Sequence, residues 1–593
     1  MENSTQYETT DVVICGCGPT GAMLSAYLGQ MSTKNVVLER EPEITTDPRG
    51  IALDEDGIRL LQGLGIYNEI YSEIGTCMQL FKFVGGSVPN LDREPFLEMD
   101  YGTTEGGTGH VGFICHKQPV LEKALRRSMT ANGFSDLRPG CSVVKLAEDK
   151  NWTYSDGKTG YTRKKYLEPM GVHMDRAHNS FYEETWVALN WEISLPSPQN
   201  HPDFPLWALG RPAVCGRFGL RADRLWRFEF VVLKGENGEE MAKPEVVEKI
   251  VFPYITHPGQ RYGLAHDVQF PKDCIKVLRS RPFMFSARSC NKWSKDRVVL
   301  CGDAAHVFPP FGGQGIASGF RDAASLAWRL ALLCQRPTQG VISHNDILTA
   351  WYTERKQQLE RSLASTIENG MFVTERDPVK IFFRNWSLWF IGFVPAWRHQ
   401  LRLGRRKDGM IRYQYENGMP FITSMNGGLC VSQVYCKPVR TGAGDVYFTD
   451  DVIFNGKKGL FQILVYLKDE EEISSACADL DDIESISQGH ICDEDVTFIV
   501  EEKMDQLSKQ GNPTLKSPVY TLASAKEFTH SSLCLGRPEP INYDPYRLGK
   551  ELNGERYTII RPDRFIFASC STKDKLRQSV ISLASYLTKG KLS

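Results

Sequence analysis

The chain has 593 residues, with 70 Lys and Arg against 72 Asp and Glu and a net charge of −2. That balance excludes the basic excess of a nucleic-acid binder, and a composition of 41% hydrophobic and 24% charged residues excludes disorder over the whole length. A single core rarely grows past ~250 to 300 residues, so two or three domains are expected. Sixteen cysteines without C-x-x-C or zinc-ligand spacing read as reduced, mostly buried thiols. The polar stretch Met1 to Thr10 has neither the charged start nor the apolar run of a secretory signal, which places the protein in the cytosol.

In chain order, Asp11-Val12-Val13-Ile14-Cys15 suits a buried parallel strand. Gly16-Cys17-Gly18-Pro19-Thr20-Gly21 follows, then Ala22 to Met31 as a helix and Asn35 to Glu39 as a second strand. In this setting Gly16 permits a tight turn, Gly18 lets the backbone approach a pyrophosphate, and Gly21 lets helix and strand pack closely. N–H groups and the positive dipole end at the helix start then hold phosphates. Glu39 ends the second strand, where an acid accepts hydrogen bonds from ribose hydroxyls. This motif alone leaves NAD and FAD open.

Between Trp186 and Phe285 the pattern alternates, as in Trp186 to Trp191 and Arg227 to Val232, and reads as antiparallel strands with one apolar face. Arg221, Tyr262 and His266 are candidates there for contacting substrate or for ordinary sheet positions. Arg297 to Cys301 reads as another buried strand, ending in Gly302-Asp303 and followed by Pro309 to Ile316. Helical periodicity then sets in, with Phe320, Ala323, Ala324, Ala327, Leu330 and Ala331 on one face. Asp303 stands at the carboxyl end of a strand, where open α/β sheets bind ligands. An acceptor there suits the ribityl hydroxyls of a flavin, and the next helix aims its positive end at the isoalloxazine. This second motif selects FAD.

Residues 380 to 407 hold Phe382, Phe383, Trp386, Trp389, Phe390, Phe393 and Trp397, then Arg398, Arg402, Arg405, Arg406 and Lys407. At ~12 apolar residues the stretch is too short to span a bilayer. An aromatic helix with a basic tail reads either as a membrane-surface helix or as packing against the first domain, and the lack of a lipid-anchor motif favours packing. From about Gly427 the order is strand, acidic stretch, helix, strand. Leu460 to Leu467 reads as a buried strand, Glu555 to Phe565 as a strand pair, and Asp469 to Glu472 as a solvated face.

These motifs, together with Pro48-Arg49-Gly50, His116-Lys117-Gln118-Pro119, Asp156-Gly157 and Gly319 to Ala324, resemble the FAD-dependent aromatic hydroxylases, the flavoprotein monooxygenases typified by p-hydroxybenzoate hydroxylase. The likeness is greatest to the phenol 2-monooxygenase and 3-(3-hydroxyphenyl)propionate hydroxylase branches, in particular long fungal members that serve catabolism and secondary metabolism. It implies an α/β fold: a Rossmann-like FAD-binding domain, an inserted antiparallel β-sheet substrate domain and a C-terminal thioredoxin-like domain. The division implied is 1–80, 116–170 and 286–370 for the FAD-binding domain, 81–115 and 171–285 for the substrate sheet, 371–425 for a helical connection and 426–593 for the C-terminal domain.

The activity implied is that of an NAD(P)H-dependent FAD monooxygenase that uses O2 to hydroxylate a phenolic or related aromatic compound through a C4a-hydroperoxyflavin. Baeyer-Villiger oxidation, epoxidation and a flavin-binding relative without catalysis are the alternatives. By the same resemblance Gly16, Gly18 and Gly21 line the pyrophosphate, Glu39 the ribose and Arg49 the pyrophosphate, and Gln118 bonds along the FAD. Asp303 holds the ribityl chain; Gly313, Gln314 and Gly315 bring backbone N–H groups to the ring; Asp156 and Arg163 match a segment serving both FAD and NAD(P)H. No metal is implied. The C-terminal domain lacks C-x-x-C, so it is assigned to packing or to a homodimer rather than to dithiol exchange. One stretch departs from the family: Trp152 to Ser155 is a poor substitute for the apolar strand expected before Asp156-Gly157, and a missing strand leaves neighbouring backbone groups unpaired.

Overall fold

A computed structural model describes residues 8–46, 50–84, 95–148, 153–157, 171–176, 183–193, 213–257, 259–309, 311–335, 343–375, 377–404, 411–439, 445–501 and 517–590. Arg49, Arg163, Arg405, Arg406 and Lys407 lie outside these residues. The chain starts with β1 (Val12–Cys15), α1 (Pro19–Gln30) and β2 (Asn35–Glu39), and β1 and β2 pair in parallel. Pro19 opens α1, where its fixed φ suits the helix and its missing N–H is no loss. Residues Ala22 to Gly29 of that helix are all buried.

β3 (Ala52–Asp54), α2 (Glu55–Gly63), β4 (Phe113–His116) and α3 (Gln118–Ala131) follow, with β3 and β4 antiparallel. β5 (Ser135–Pro139) then joins the far side of β2 in parallel, giving the order β1-β2-β5. β6 (Val143–Glu148) and β7 (Thr153–Gly157) form an antiparallel hairpin with an irregularity between Asp156 and Gly157. The stretch read as a poor strand is therefore a strand, but it pairs with β6 and not with the β1-β2-β5 sheet. Among the described residues β2 is the one strand paired with β1, and on β1 Val13 is 43% exposed and Cys15 is exposed. Six of the sixteen free cysteines are fully buried and nine are half-buried, fewer buried than their scatter suggested.

A four-stranded antiparallel sheet comprises β8 (Glu183–Ile193), β9 (Ala213–Phe218), β10 (Leu225–Val231) and β11 (Ile275–Ser286) in the order β9-β10-β8-β11. Side-chain alternation sends Val187, Leu189, Phe228 and Phe230 to one face, against Val247 and Val251 of the helix Pro244–Val251. Asn190, Arg227 and Glu229 consequently point to the other face. The strand expected at Arg297 to Cys301 contracts to β12 (Val298–Val299), both residues half-buried. It leads to a single tight turn, Gly302–Ala304, and then to the long helices α4 (Gln314–Cys334) and α5 (His344–Thr374).

α6 (Pro378–Ile391) and α7 (Pro395–Leu403) contain no buried residue. Packing of their aromatic face against the first domain, favoured from the sequence, is thus corrected: the aromatic side chains face outward.

The C-terminal part holds β13 (Tyr435–Pro438), β14 (Tyr447–Phe448), α8 (Thr449–Phe454), β15 (Gln462–Leu467), β16 (Val496–Val500), β17 (Val519–Leu522), β18 (Tyr557–Ile560), β19 (Ile566–Cys570) and α9 (Lys573–Lys589). They build one mixed sheet ordered β14-β13-β17-β16-β15-β18-β19. Only Tyr557–Ile560 of the stretch read as a strand pair is a strand; its partner is β19, after a turn containing Arg564 at φ 71°. A buried ionic clasp ties this part to α2. Arg59 donates to Asp450 at 2.6 and 2.8 Å and to Val431 O at 2.8 Å, and Arg564 Nε donates to Asp450 at 2.5 Å.

Candidate active site

The glycine turn closes on its helix and stays open outward. Gly16 has φ +103°, which a glycine adopts without the steric cost to a side chain. A Cβ on Gly21 would overlap the Gly16 carbonyl oxygen, whereas one on Gly16 or Gly18 would meet nothing within 4 Å. Glu39 reaches from the end of β2 to the turn, where its Oε2 accepts from Cys17 N at 2.5 Å. Arg126 of α3 donates to Cys17 O at 3.4 Å.

The Gly-Asp turn arrives at the same place. A Cβ on Gly302 would lie 2.6 Å from Thr20 Oγ1, and one on Gly319 of α4 would run into the same hydroxyl. Two glycines from a distant part of the chain therefore press on the first turn of α1, and the exposed Asp303 comes next to one of them. Asp322 pins the arrangement. Its Oδ2 accepts from Gly302 N at 3.0 Å and lies 2.7 Å from His306 Nε2, while its Oδ1 accepts from Arg355 Nε at 2.8 Å. Burial alone would raise the Asp322 carboxyl; His306, Arg355 and the Gly302 N–H outweigh it and hold the group down at about 2.

β3 and β4 lie beneath the start of α4. Gly313, its N-cap at φ +62°, is so close that a Cβ would sit 3.0 Å from Ala52 O and 3.1 Å from Phe113 Cε1. The Gln314 side chain is committed elsewhere: it donates to Asp54 at 3.0 Å and accepts from Arg321 at 2.9 Å, and Arg321 also pairs with Asp54 and, at 2.7 Å, with Asp56. This is a buried lock between α2 and α4. Gly315 is half-buried in the first turn of α4. Gln118 accepts from Gly50 N at 2.7 Å and donates to Glu122 at 2.8 Å.

The first turns of α1 and α4 have neither a side-chain cap nor an acidic residue, whereas α2 and α5 are capped by Asp54 and Ser343. Unanswered N–H groups and positive dipole ends suit phosphates and an electron-rich ring. The open glycine cradle between them fits FAD.

The structure thus brings together Gly16, Gly18, Gly21 and Glu39 with the turn that carries Asp303, and brings Gly313 and Gln314 onto β3. Asp156 is not joined to that group by strand pairing; it lies in β7 opposite Lys145, and its side chain is outside the described residues, as is that of Tyr262. Arg221 and His266 are exposed. Sequence reasoning missed Thr20, which sits inside the glycine motif, and Asp322, which sits inside the Gly319 to Ala324 stretch. It also missed Arg355, which carries no local signal.

A second polar group lies on the inward face of the four-stranded sheet. Arg227 Nε donates to Asn190 Oδ1 at 2.9 Å, and Arg227 lies 3.6 Å from Glu229. Asn190 is fully buried and its Nδ2 has no hydrogen-bond partner among the described residues. β9 meets β4, where Gly219 N donates to Cys115 O at 3.2 Å. The next residue, His116, is fully buried, and neither ring nitrogen has a hydrogen-bond partner among the described residues. Burial, reinforced by Arg227, lowers its pKa to about 3, so the ring is neutral; burial likewise raises the Glu229 carboxyl. Asn190 had one signal in the sequence, a lone amide in the apolar run Val187 to Trp191.

Comparison with known proteins agrees with this geometry. The family described as FAD binding domain matches residues 9–164 and 261–358. The 3-(3-hydroxy-phenyl)propionate/3-hydroxycinnamic acid hydroxylase of Burkholderia cenocepacia is 26% identical over 65% of this chain and 68% of its own length. A probable NADH-specific resorcinol 4-hydroxylase of Rhodococcus jostii is 27% identical over 62% of this chain and 67% of its own. The fold is that of the flavin-dependent monooxygenase PieE, solved with FAD and substrate, at a TM-score of 0.65, 15% identity and coverage of 98% of this chain and 99% of that one. On these matches, and on two remote turns that meet at one cradle, the chain carries an FAD binding domain and resembles the FAD-dependent aromatic hydroxylases.

Proposed function

We propose that this enzyme hydroxylates a phenolic or related aromatic compound with NAD(P)H and O2, in the cytosol, and that its substrate lies between the four-stranded sheet and the flavin. The observation that carries this reading is the buried polar face of Asn190, Arg227, Glu229 and His116, which ends at β4, the strand that also supports Gly313. Gly16, Gly18, Gly21 and Arg49 would hold the FAD pyrophosphate, Glu39 the ribose and Asp303 the ribityl chain. Gln118 and the backbone of Gly313, Gln314 and Gly315 would lie along the cofactor, and Asp156 would serve FAD and NAD(P)H. When bound, the flavin supplies hydride acceptance and the delivery of one oxygen atom from O2 to the ring.

The residues of the chain supply orientation, proton handling and dryness. A neutral His116 offers an unprotonated nitrogen to a phenolic O–H, and Arg227 favours the phenolate, the more nucleophilic form. Apolar packing behind the sheet keeps water from the reacting atoms. The mixed C-terminal sheet, read as thioredoxin-like, serves packing or homodimer formation. The test is a purified, yellow protein offered simple phenols, hydroxyphenylpropionates and polycyclic phenols under labelled dioxygen. NAD(P)H consumption stimulated by an aromatic compound, with one labelled oxygen in the product, is the expected result. NAD(P)H oxidation that never labels a product overturns it. His116→Gln should raise KM and shift the pH profile of kcat while leaving flavin absorbance intact.

A further inference from the structure

The geometry points to a membrane-docking surface formed by α6 and α7, whose occupant is a bilayer with anionic headgroups. On α6 and just beyond it, Phe382, Phe383, Trp386, Trp389, Phe390, Phe393 and Trp397 are each between 54% and 63% exposed. Their helical spacing puts most of them on one stripe. Together they leave on the order of 800 Å² of aromatic surface in water, where a monomer's largest patch is usually ~300 to 600 Å². The opposite side of α6 holds the helix down: Arg384 donates to Phe372 O at 2.7 Å and lies over the rings of Phe96 and Phe372 at 4.6 and 4.7 Å. Asp377 caps the helix start, accepting from Val379 N at 2.8 Å. The aromatic face is therefore presented by an anchored helix.

Charge selects the occupant. From Pro378 to Gly404 the chain carries Lys380, Arg384, Arg398 and Arg402 and no Asp or Glu, and the next three charged residues in the sequence are also basic. His399 and Arg402 lean onto Glu105 and Glu98 at 2.8 and 2.9 Å, seating α7 on the body, while Arg398 is exposed beside Trp397. A second copy on a two-fold axis would set this basic segment against itself. An anionic lipid surface complements it, and Trp and Phe settle at the headgroup boundary beside Lys and Arg. The cytosolic leaflet, where the enzyme is proposed to work, carries such lipids. No helix among the described residues is long and apolar enough to cross a membrane, so the surface lies on the bilayer.

The experiment is co-sedimentation of the purified holoenzyme with phosphatidylcholine vesicles, with and without one-third phosphatidylserine. Binding to the anionic vesicles at least about tenfold tighter than to the neutral ones, and weakened by salt, is expected. Trp386→Ser/Trp389→Ser/Phe390→Ser should abolish it, with flavin absorbance and vesicle-free turnover unchanged. Arg398→Glu, which leaves the aromatic stripe alone, should weaken it about fivefold. Quenching of wild-type tryptophan fluorescence by brominated lipid reports insertion without any variant. Absence of vesicle binding, or binding retained in the triple variant, overturns the proposal, as does a concentration-dependent dimer that the triple variant loses. None of these readouts depends on which aromatic compound is hydroxylated.

Discussion

β1 and β15 are both short, β-branched strands in parallel pairing, yet they end in different surroundings. All six residues of β15 are buried, while in β1 only Ile14 is, with Val13 43% exposed. The C-terminal sheet is covered on one face by Leu576, Val580 and Leu583 of α9 and on the other by Ile453 of α8. The N-terminal sheet has α1 on one face, and the β6-β7 hairpin does not extend it on the other side. The same local pattern gives a closed or an open sheet according to what remote chain returns to cover it. An open sheet leans more heavily on its ligand, because binding adds RT ln(1 + [L]/Kd) to the stability of the folded state alone.

The clasp between the two regions gives the largest test. Arg59→Met leaves Asp450 with Arg564 as its remaining cation in a buried site, and a loss of about 3 to 5 kcal/mol is expected, read as a lower urea midpoint. A loss under about 1 kcal/mol would mean the regions are stable independently. Gly21→Ala drives a methyl into the Gly16 carbonyl; about 1 to 3 kcal/mol should go, together with the flavin absorbance, whereas Gly18→Ala, with open space around it, should fold normally and lose only cofactor affinity.

Asp451, beside the clasp, sharpens the comparison by pH. Burial raises its carboxyl from 3.8 to about 6, against the bond from Gln62 at 2.7 Å. A raised carboxylate pKa means the folded state holds the proton more tightly, so stability falls as pH climbs from about 4 to about 6. Asp451→Asn should flatten that slope and gain on the order of 2 kcal/mol at pH 7, measured by denaturant titration across pH. The smallest difference is a matched pair. Val465→Ala, fully buried, should cost about 2 kcal/mol and Val13→Ala under about 0.5 kcal/mol; equal losses would show that β1 is covered in solution.

Much of the site was legible because its signals are local. The glycine turn, the Gly302-Asp303 turn and the helix behind it are read from spacing, and the strands at Trp186 to Trp191 and Arg227 to Val232 from alternation. What escaped the sequence depends on residues far apart in the chain. Asp322 meets Arg355 across two helices, and Gly302 meets Thr20 across nearly half of the chain, with no periodicity to announce either contact. The aromatic face of α6 was misread for a related reason: a stripe of Phe and Trp marks an apolar surface, but only the anchoring of Arg384 on its opposite side decides which way that surface turns.

The clasp also bears on how the protein is made. Arg59 and Asp450 are separated by 391 positions, so at ~5 to 20 residues per second the cation leaves the ribosome roughly 20 to 80 s before its counter-ion exists. For that interval the nascent N-terminal half carries an unmatched guanidinium where a finished molecule has its interior. Truncated nascent chains ending before Asp450 should therefore depend on a chaperone.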